Sequence, residues 1–297
     1  MDERIPSLTA LGVALARAAY AEAPFGPRGA ADHVATRLLP PGLSHFARAM
    51  PFAWRAPTVT HRVLQTIGLG FVEHVALRTA AIDEALDRAM SAGIRQVVIL
   101  GAGLDARAFR MDSLARAIVF EVDHPTTQRY KRGHIGGLAA TAREVRFVTV
   151  DFGRDAIGDR LAVHGHDPTV RTFWLWEGVT PYLPHPVIEA TLAMIRGRSV
   201  AGSEVALTYV TPDHLGFARG MEIVLRNTAA VIREPLHGVI TRDALHAIVE
   251  RNGFRVVEDT DTPDWAARYW PASRTAGVSA RERLLVARVP PPYTEVP

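Results

Sequence analysis

Two glycines at the end of an apolar run, with a carboxylate one strand later, carry the first chemical signal. The run Val97-Val98-Ile99-Leu100-Gly101-Ala102-Gly103-Leu104-Asp105-Ala106-Arg107 leads a strand into glycines. Glycines there let the backbone approach a ligand that a Cβ would exclude, and a following helix would offer free N–H groups. Gly101, Gly103 and Ala106 fit the nucleotide-binding spacing G-x-G-x-x-G/A. A second run, Val119-Phe120-Glu121-Val122-Asp123-His124-Pro125, places Asp123 22 residues after Gly101. A carboxylate at the tip of the second strand can accept hydrogen bonds from both ribose hydroxyls, and nucleotide folds place one about 20 residues after the glycines. Asp123 is the first candidate for that role. Glu121, two residues earlier on the same strand face, is the second. Asp123 would serve equally well as a helix cap before Pro125, so the spacing leaves both roles open.

A nicotinamide dinucleotide and S-adenosylmethionine both suit such a turn, and charge is the arbiter. Asp105 lies inside the turn that would face a pyrophosphate, which it would repel unless Arg107 compensated. A sulfonium ligand has no phosphate. Its methionine end needs an acceptor for the ammonium and a cation for the carboxylate, and Arg78 on the preceding helix supplies the cation. The charge pattern therefore favours the methyl donor.

The elements that must position these residues fall into two regions. Up to about residue 90 the pattern is helical: Leu8, Leu11, Leu15 and Ala18 follow a three-to-four spacing from Ser7 to Tyr20, with Ser7 as N-cap. Pro24, Gly26, Pro27 and Gly29 break that helix, a short one is expected over Ala30 to Leu39, and a loop containing Pro51 and Pro57 follows. Gly70 to Met90 is a long amphipathic stretch. From Gln96 short apolar runs alternate with helical segments: Val97 to Leu100, Ile118 to Val122, Val145 to Val150, Thr172 to Trp176 and Val205 to Val210, with a crossover helix over Pro186 to Arg196. These predict buried parallel strands in an α/β, doubly wound sheet whose ligand lies at the carboxyl ends of the strands. Helix Thr241 to Arg251 then leads to strands Phe254 to Glu258 and Arg283 to Val289. Thr211 to Pro235 is longer than a connection needs and reads either as a pocket insertion or as one more packed helix.

Those motifs, together with Trp176-Glu177-Gly178-Val179-Thr180-Pro181-Tyr182-Leu183, resemble the leucine carboxyl methyltransferase family, and within it the bacterial small-molecule branch that includes polyketide carboxyl O-methyltransferases. The order and spacing hold from about Ser7 to Val210. The resemblance implies a class I S-adenosylmethionine-dependent methyltransferase with a Rossmann-like sheet. In it Arg78 would hold the donor carboxylate, and Gly101 and Gly103 would lie under the methionine and ribose. Asp123 would take the ribose hydroxyls, Asp151 and Phe152 would frame the adenine, Glu177 would approach the amino group, and Tyr182 would line the junction with the acceptor pocket. Ile99 and Asp105 stand where the broad methyltransferase class carries an acid and a third glycine, a departure that fits the carboxyl methyltransferase family better. The resemblance divides the chain into a helical extension or acceptor cap, 1–90, and a core, 91–297, with an insertion at about 211–236.

Composition bounds the rest. With 48% hydrophobic and 22% charged residues the 297-residue chain reads as a folded globular protein. Cysteine is absent, which excludes disulfides, thiolate metal sites and a cysteine nucleophile. No ligand-like His and carboxylate spacing suggests a metal. A net charge of only +3, with scattered arginines and Lys131 as the only lysine, argues against nucleic-acid binding. No membrane span or secretory signal is evident, so a cytoplasmic location and a monomer or homodimer are expected. Methyl transfer is an in-line displacement in which orientation is the main contribution. A carboxylate acceptor, with a pKa of roughly 4, needs no strong base. A phenol or alcohol would need one, for which His124, His185 and His214 are available, and Tyr182, Tyr209 and His214 are the candidate catalytic residues. Tyr209, Arg226 and Arg233 would suit an acidic acceptor, and Phe25, Phe46, Phe52 and Trp54 would cover a flat one. The competing readings are a nicotinamide-dependent oxidoreductase and a non-catalytic S-adenosylmethionine-binding protein.

Overall fold

Apolar residues alternate in register along the central strands, so each strand feeds two opposite cores. The computed structural model describes residues 8–21, 31–54, 70–152, 154–214, 236–275 and 282–291. Its strands are β1 (Gln96–Leu100), β2 (Ile118–Asp123), β3 (Glu144–Thr149), β4 (Thr172–Trp176), β5 (Glu204–Tyr209), β6 (Arg255–Asp261) and β7 (Arg283–Arg288). They form one sheet in the order β3-β2-β1-β4-β5-β7-β6. The pairs among β1 to β5 are parallel, and β7 runs antiparallel to both β5 and β6. The order reverses between β1 and β4, which places a crevice at their carboxyl ends.

On one face Val97, Ile99, Val119, Leu175, Ala206, Leu284 and Val286 pack with α1 (Leu8–Ala21) and α3 (Phe71–Ser91) through Leu11, Ala14, Leu77 and Ile82. On the other, Val98, Leu100, Phe120, Trp174, Trp176 and Leu207 pack with α6 (His185–Gly197) and α7 (Arg242–Arg251). The period of two that buries alternate residues on opposite faces also sorts the polar strand ends. Glu121, Asp123, Thr208 and Glu282 share parity with the α1–α3 face, whereas Tyr209 and Arg283 share it with the other.

Several local expectations need correction. Pro41–Trp54 forms a helix, α2, so Pro51 lies within a helix and not in a loop. Pro41 opens it, where a missing N–H costs nothing. The short helix expected over Ala30 to Leu39 contracts to a 3-10 turn, Ala35–Leu38. No α-helix follows the glycines: 3-10 turns Arg107–Phe109 and Asp112–Arg116 carry the chain from β1 to β2. Asp105 Oδ1 accepts the Arg107 N–H at 2.8 Å, a local bond that competes with a regular first turn. The remaining labelled helices are α4 (Pro125–His134), α5 (Ile157–Val163) and α8 (Thr262–Tyr269). Ser7 and residues 215–235, which include Arg226 and Arg233, lie outside the described residues, as do Phe25 and Pro57. Among the described residues no helix is long and apolar enough to cross a membrane.

Candidate active site

The turn after β1 is left-handed at both glycines, with φ of +67° at Gly101 and +50° at Gly103. A Cβ on Gly101 would stand 2.6 Å from Val179 Cγ2, so this turn and the one after β4 fit together only because Gly101 lacks a side chain. The Ala102 N–H donates to the Val122 carbonyl at 3.0 Å, and the Gly103 N–H donates to Asp123 Oδ2. The His124 N–H donates to Asp123 Oδ1 at 2.6 Å. The capping role left open for Asp123 falls to its neighbour. His124 caps α4, its Nδ1 accepting the Thr126 N–H, with Pro125 as first helical residue. Asp123 is therefore free of capping and spans the turn. Burial pushes its carboxyl up, against the two N–H donors that favour the charged form.

Glu121, the second ribose candidate, is buried and paired elsewhere through one oxygen, while its Oε1 has no hydrogen-bond partner among the described residues. Its Oε2 accepts from Lys131 Nζ, which also donates to the Asp105 carbonyl. Lys131 is 1% exposed, so the only lysine of the chain is a buried tie between β2, α4 and the glycine turn. Asp151 and Phe152 follow β3. The Asp151 N–H donates to Asp155 Oδ2 at 2.8 Å, and α5 is preceded by Ala156, so Asp151 does not cap it. Phe152 is 52% exposed, an aromatic ring left open at a strand end.

Glu177, one residue beyond β4, accepts from Arg17 Nη2 at 2.7 Å and from Arg107 Nη1 at 2.8 Å. Arg78 Nε stands 2.9 Å from the same carboxylate, a charge contact without hydrogen-bond alignment. Arg78 is not a solvated helix residue: it is buried, and its Nη1 donates to Glu282 Oε2 at 2.7 Å. Burial alone would raise the Glu177 carboxyl, but Arg17, Arg107 and Arg78 outweigh it and hold it well below the usual range. Arg107 is wholly buried and also donates to Asp83 Oδ1 at 2.6 Å and to Asp105 Oδ2. Burial of Asp105 is likewise outweighed by Arg107 and Arg17, so its carboxyl is held low. Because Arg107 neutralises Asp105 directly, the charge of the turn does not by itself separate a dinucleotide from a methyl donor.

Arg17, Asp83, Lys131 and Glu282 were not anticipated at this site. The available signal was a charged residue on the apolar side of an amphipathic helix, as Arg17 is between Ala14, Ala16 and Ala18, all nearly fully buried. Other expected residues lie apart from it. The Tyr209 hydroxyl donates to Asp259 Oδ2 at 2.8 Å on the opposite sheet face, where burial and that carboxylate push its pKa up. His185 Nε2 lies 3.0 Å from the Val239 carbonyl. His214 ends the 3-10 turn Pro212–His214 after β5. Tyr182 closes the turn Thr180–Tyr182, partly buried, its N–H bonded to the Val179 carbonyl at 3.1 Å. Trp176 is a core residue beneath that turn. Phe46 is exposed on α2.

The segment that carries the glycine turn and the acid after β4 matches, over residues 10–196, the sequence profile of one protein family, described as leucine carboxyl methyltransferase. The chain belongs to this family. A Streptomyces avermitilis protein, provisionally named an S-adenosyl-L-methionine-dependent methyltransferase, is 44% identical over 135 residues, covering 45% of this chain and 47% of its own length. One of the same provisional name from Mycolicibacterium paratuberculosis is 39% identical over 202 residues, covering 67% of this chain and 63% of the relative. The matches thus span about half to two thirds of these curated relatives. A crystal structure of a DUF574 family protein from Streptomyces avermitilis superposes with a TM-score of 0.60 at 17% identity, covering 96% of this chain and 98% of that one. This family member therefore shares its fold with that protein over almost the whole chain.

Proposed function

We propose that this leucine carboxyl methyltransferase relative is an S-adenosylmethionine-dependent O-methyltransferase that acts on a carboxylate or hydroxyl of a small, polyketide-like molecule. One observation carries the donor assignment: four groups of different chemistry stand at adjacent strand ends. These are the glycine turn after β1, Asp123 at the end of β2, exposed Phe152 after β3, and Glu177 with its arginines after β4. That set matches the parts of the donor. Asp123 would accept from the ribose hydroxyls, Phe152 and Asp151 would flank the adenine, and Glu177 would face the ammonium. Arg78, joined by Arg17, would face the carboxylate, and Tyr182 would border the acceptor.

The bound donor supplies a methyl group activated by its sulfonium. The chain's own contribution is orientation, since an in-line displacement needs the acceptor oxygen aligned with the methyl carbon and sulfur. A carboxylate acceptor fits what the candidate groups do: the Tyr209 hydroxyl is held by Asp259, His124 caps α4, and His185 meets a backbone carbonyl. An ionised acid needs none of them. Residues 1–90 and the segment 211–236 would enclose the acceptor.

Calorimetry with S-adenosylhomocysteine tests the donor site. Saturable binding is expected, weakened about 10- to 100-fold in Asp123→Ala and Arg78→Ala, as for loss of a charge-assisted hydrogen bond. Unchanged affinity in both variants would remove the assignment. Mass spectrometry with labelled donor and an extract of the producing cells then reads the acceptor. Donor binding without any labelled product would favour a non-catalytic binding protein.

A further inference from the structure

Arg78 is gripped from two strands, and only one of them carries a motif. The second partner, Glu282, immediately precedes β7, far beyond the last motif of the sequence. Its carboxylate is buried, and Oε2 accepts from Arg78 Nη1 at 2.7 Å and meets His74 Nε2 at 3.0 Å. His74 is in turn fixed through Nδ1, 3.2 Å from Thr262 Oγ1, and lies beside the Trp265 ring. On the neighbouring strand Thr208 shares the sheet face of Glu282 and helps favour its charged form, while Thr208 Oγ1 accepts the Gly178 N–H at 2.8 Å. Thr208 thereby ties the residue after Glu177 to the strand that pairs with β7. Arg78 sits between the two carboxylates with Nε toward Glu177 and Nη1 on Glu282, and neither contact uses Nη2.

From this arrangement we propose that Glu282, with Thr208, is a positioning residue for donor binding: it holds the Arg78 fork so that its remaining edge is presented to the donor's carboxylate. The inference rests on the donor reading above and adds the final strand to the site. A guanidinium is a planar fork whose usefulness depends on its orientation, and a long side chain fixed at two of its nitrogens loses less freedom when it takes up a third partner. Glu282 acts through Arg78 alone, on one end of the ligand. The nucleoside end is served by Asp123 and the glycine turn, on the other side of β1.

The difference between two probes isolates this role. S-adenosylhomocysteine carries the amino acid end, and 5′-methylthioadenosine carries the nucleoside and sulfur without it. Both are titrated calorimetrically into the full chain, its Glu282→Gln variant and its Thr208→Val variant, with thermal unfolding as the check of folding. Expected is an affinity for S-adenosylhomocysteine about tenfold weaker in Glu282→Gln, the scale of one charge-assisted hydrogen bond, with methylthioadenosine binding unchanged. Thr208→Val should show the same selective loss, to a smaller extent. Equal losses for both probes would mean that Glu282 merely supports the fold, and the proposal would fail. Unchanged or tighter S-adenosylhomocysteine binding would show Glu282 to be a bystander or a competitor for Arg78, and would also overturn it. Failure of the unaltered protein to bind either probe would instead refute the donor reading itself.

Discussion

At the scale of single residues, the site is a set of charges that cannot be left alone. Lys131 shows the principle. It lies 1% exposed between Glu121 and the Asp105 carbonyl, and burial raises the Glu121 carboxyl despite that lysine. Removing one partner of a buried pair leaves the other uncompensated, so Lys131→Met should cost about 3–5 kcal/mol in urea unfolding. Adding Glu121→Leu to it should recover much of the loss; a double variant no more stable than the single one would contradict this account. Asp123→Asn belongs at the same scale. It keeps the shape but weakens acceptance from Gly103 and His124 N–H, so affinity for S-adenosylhomocysteine should fall about tenfold, read by calorimetry.

At the scale of elements, turns and helix ends decide how closely strands bring their loops together. Gly238 lies against the turn Thr180–Tyr182, its N–H donating to the Pro181 carbonyl at 2.9 Å. A Cβ on Gly238 would stand 1.9 Å from the Thr180 carbonyl oxygen and 2.8 Å from that of Leu183. Both are backbone atoms, so the turn carrying Tyr182 would have to move. Gly238→Ala should therefore lower stability by about 1–3 kcal/mol, the usual cost of overpacking, and lower methyl transfer more than donor binding. Full turnover with an unshifted urea midpoint would show that the contact is dispensable. Apolar periodicity located every strand to within a few residues, since burial on both faces demands it. The crossover after the glycines was misread because Arg107, buried and tied to three carboxylates, breaks a helix that local propensity would permit.

For the whole molecule, one buried ionic assembly joins α1 to the final strand. Arg17 from α1, Asp83 and Arg78 from α3, Arg107, Glu177 and Glu282 meet across it. Acid should dismantle it. Burial would raise the Glu282 carboxyl, but Arg78 and His74 draw it down from 4.5 to about 2. A depressed carboxyl contributes stability that is complete above its unfolded value and fades as pH falls through its folded one. Over that window Glu282 accounts for on the order of 3 kcal/mol, with Glu177 and Asp105 acting in the same sense. Glu121 and Asp123, raised by burial, act in the opposite sense and lose their contribution as pH rises. The urea midpoint should drop between about pH 5 and pH 2, and drop less in Glu282→Gln. Equal acid slopes in the two proteins would exclude this role for Glu282.

The order of residues by itself determined the doubly wound core, the glycine turn and the candidates at the strand ends. Periodicity, backbone freedom and the spacing from glycine to acid are local properties, legible wherever they occur. Only the tertiary structure decided which polar residue does what: Asp123 spans the turn while His124 caps the helix, Glu121 belongs to Lys131, and Tyr209 faces away. Arg17 and Glu177 stand 160 residues apart in the chain and 2.7 Å apart in space. The energy of such a pair depends on separation and exclusion of water, and neither exists until the helices have closed over the sheet.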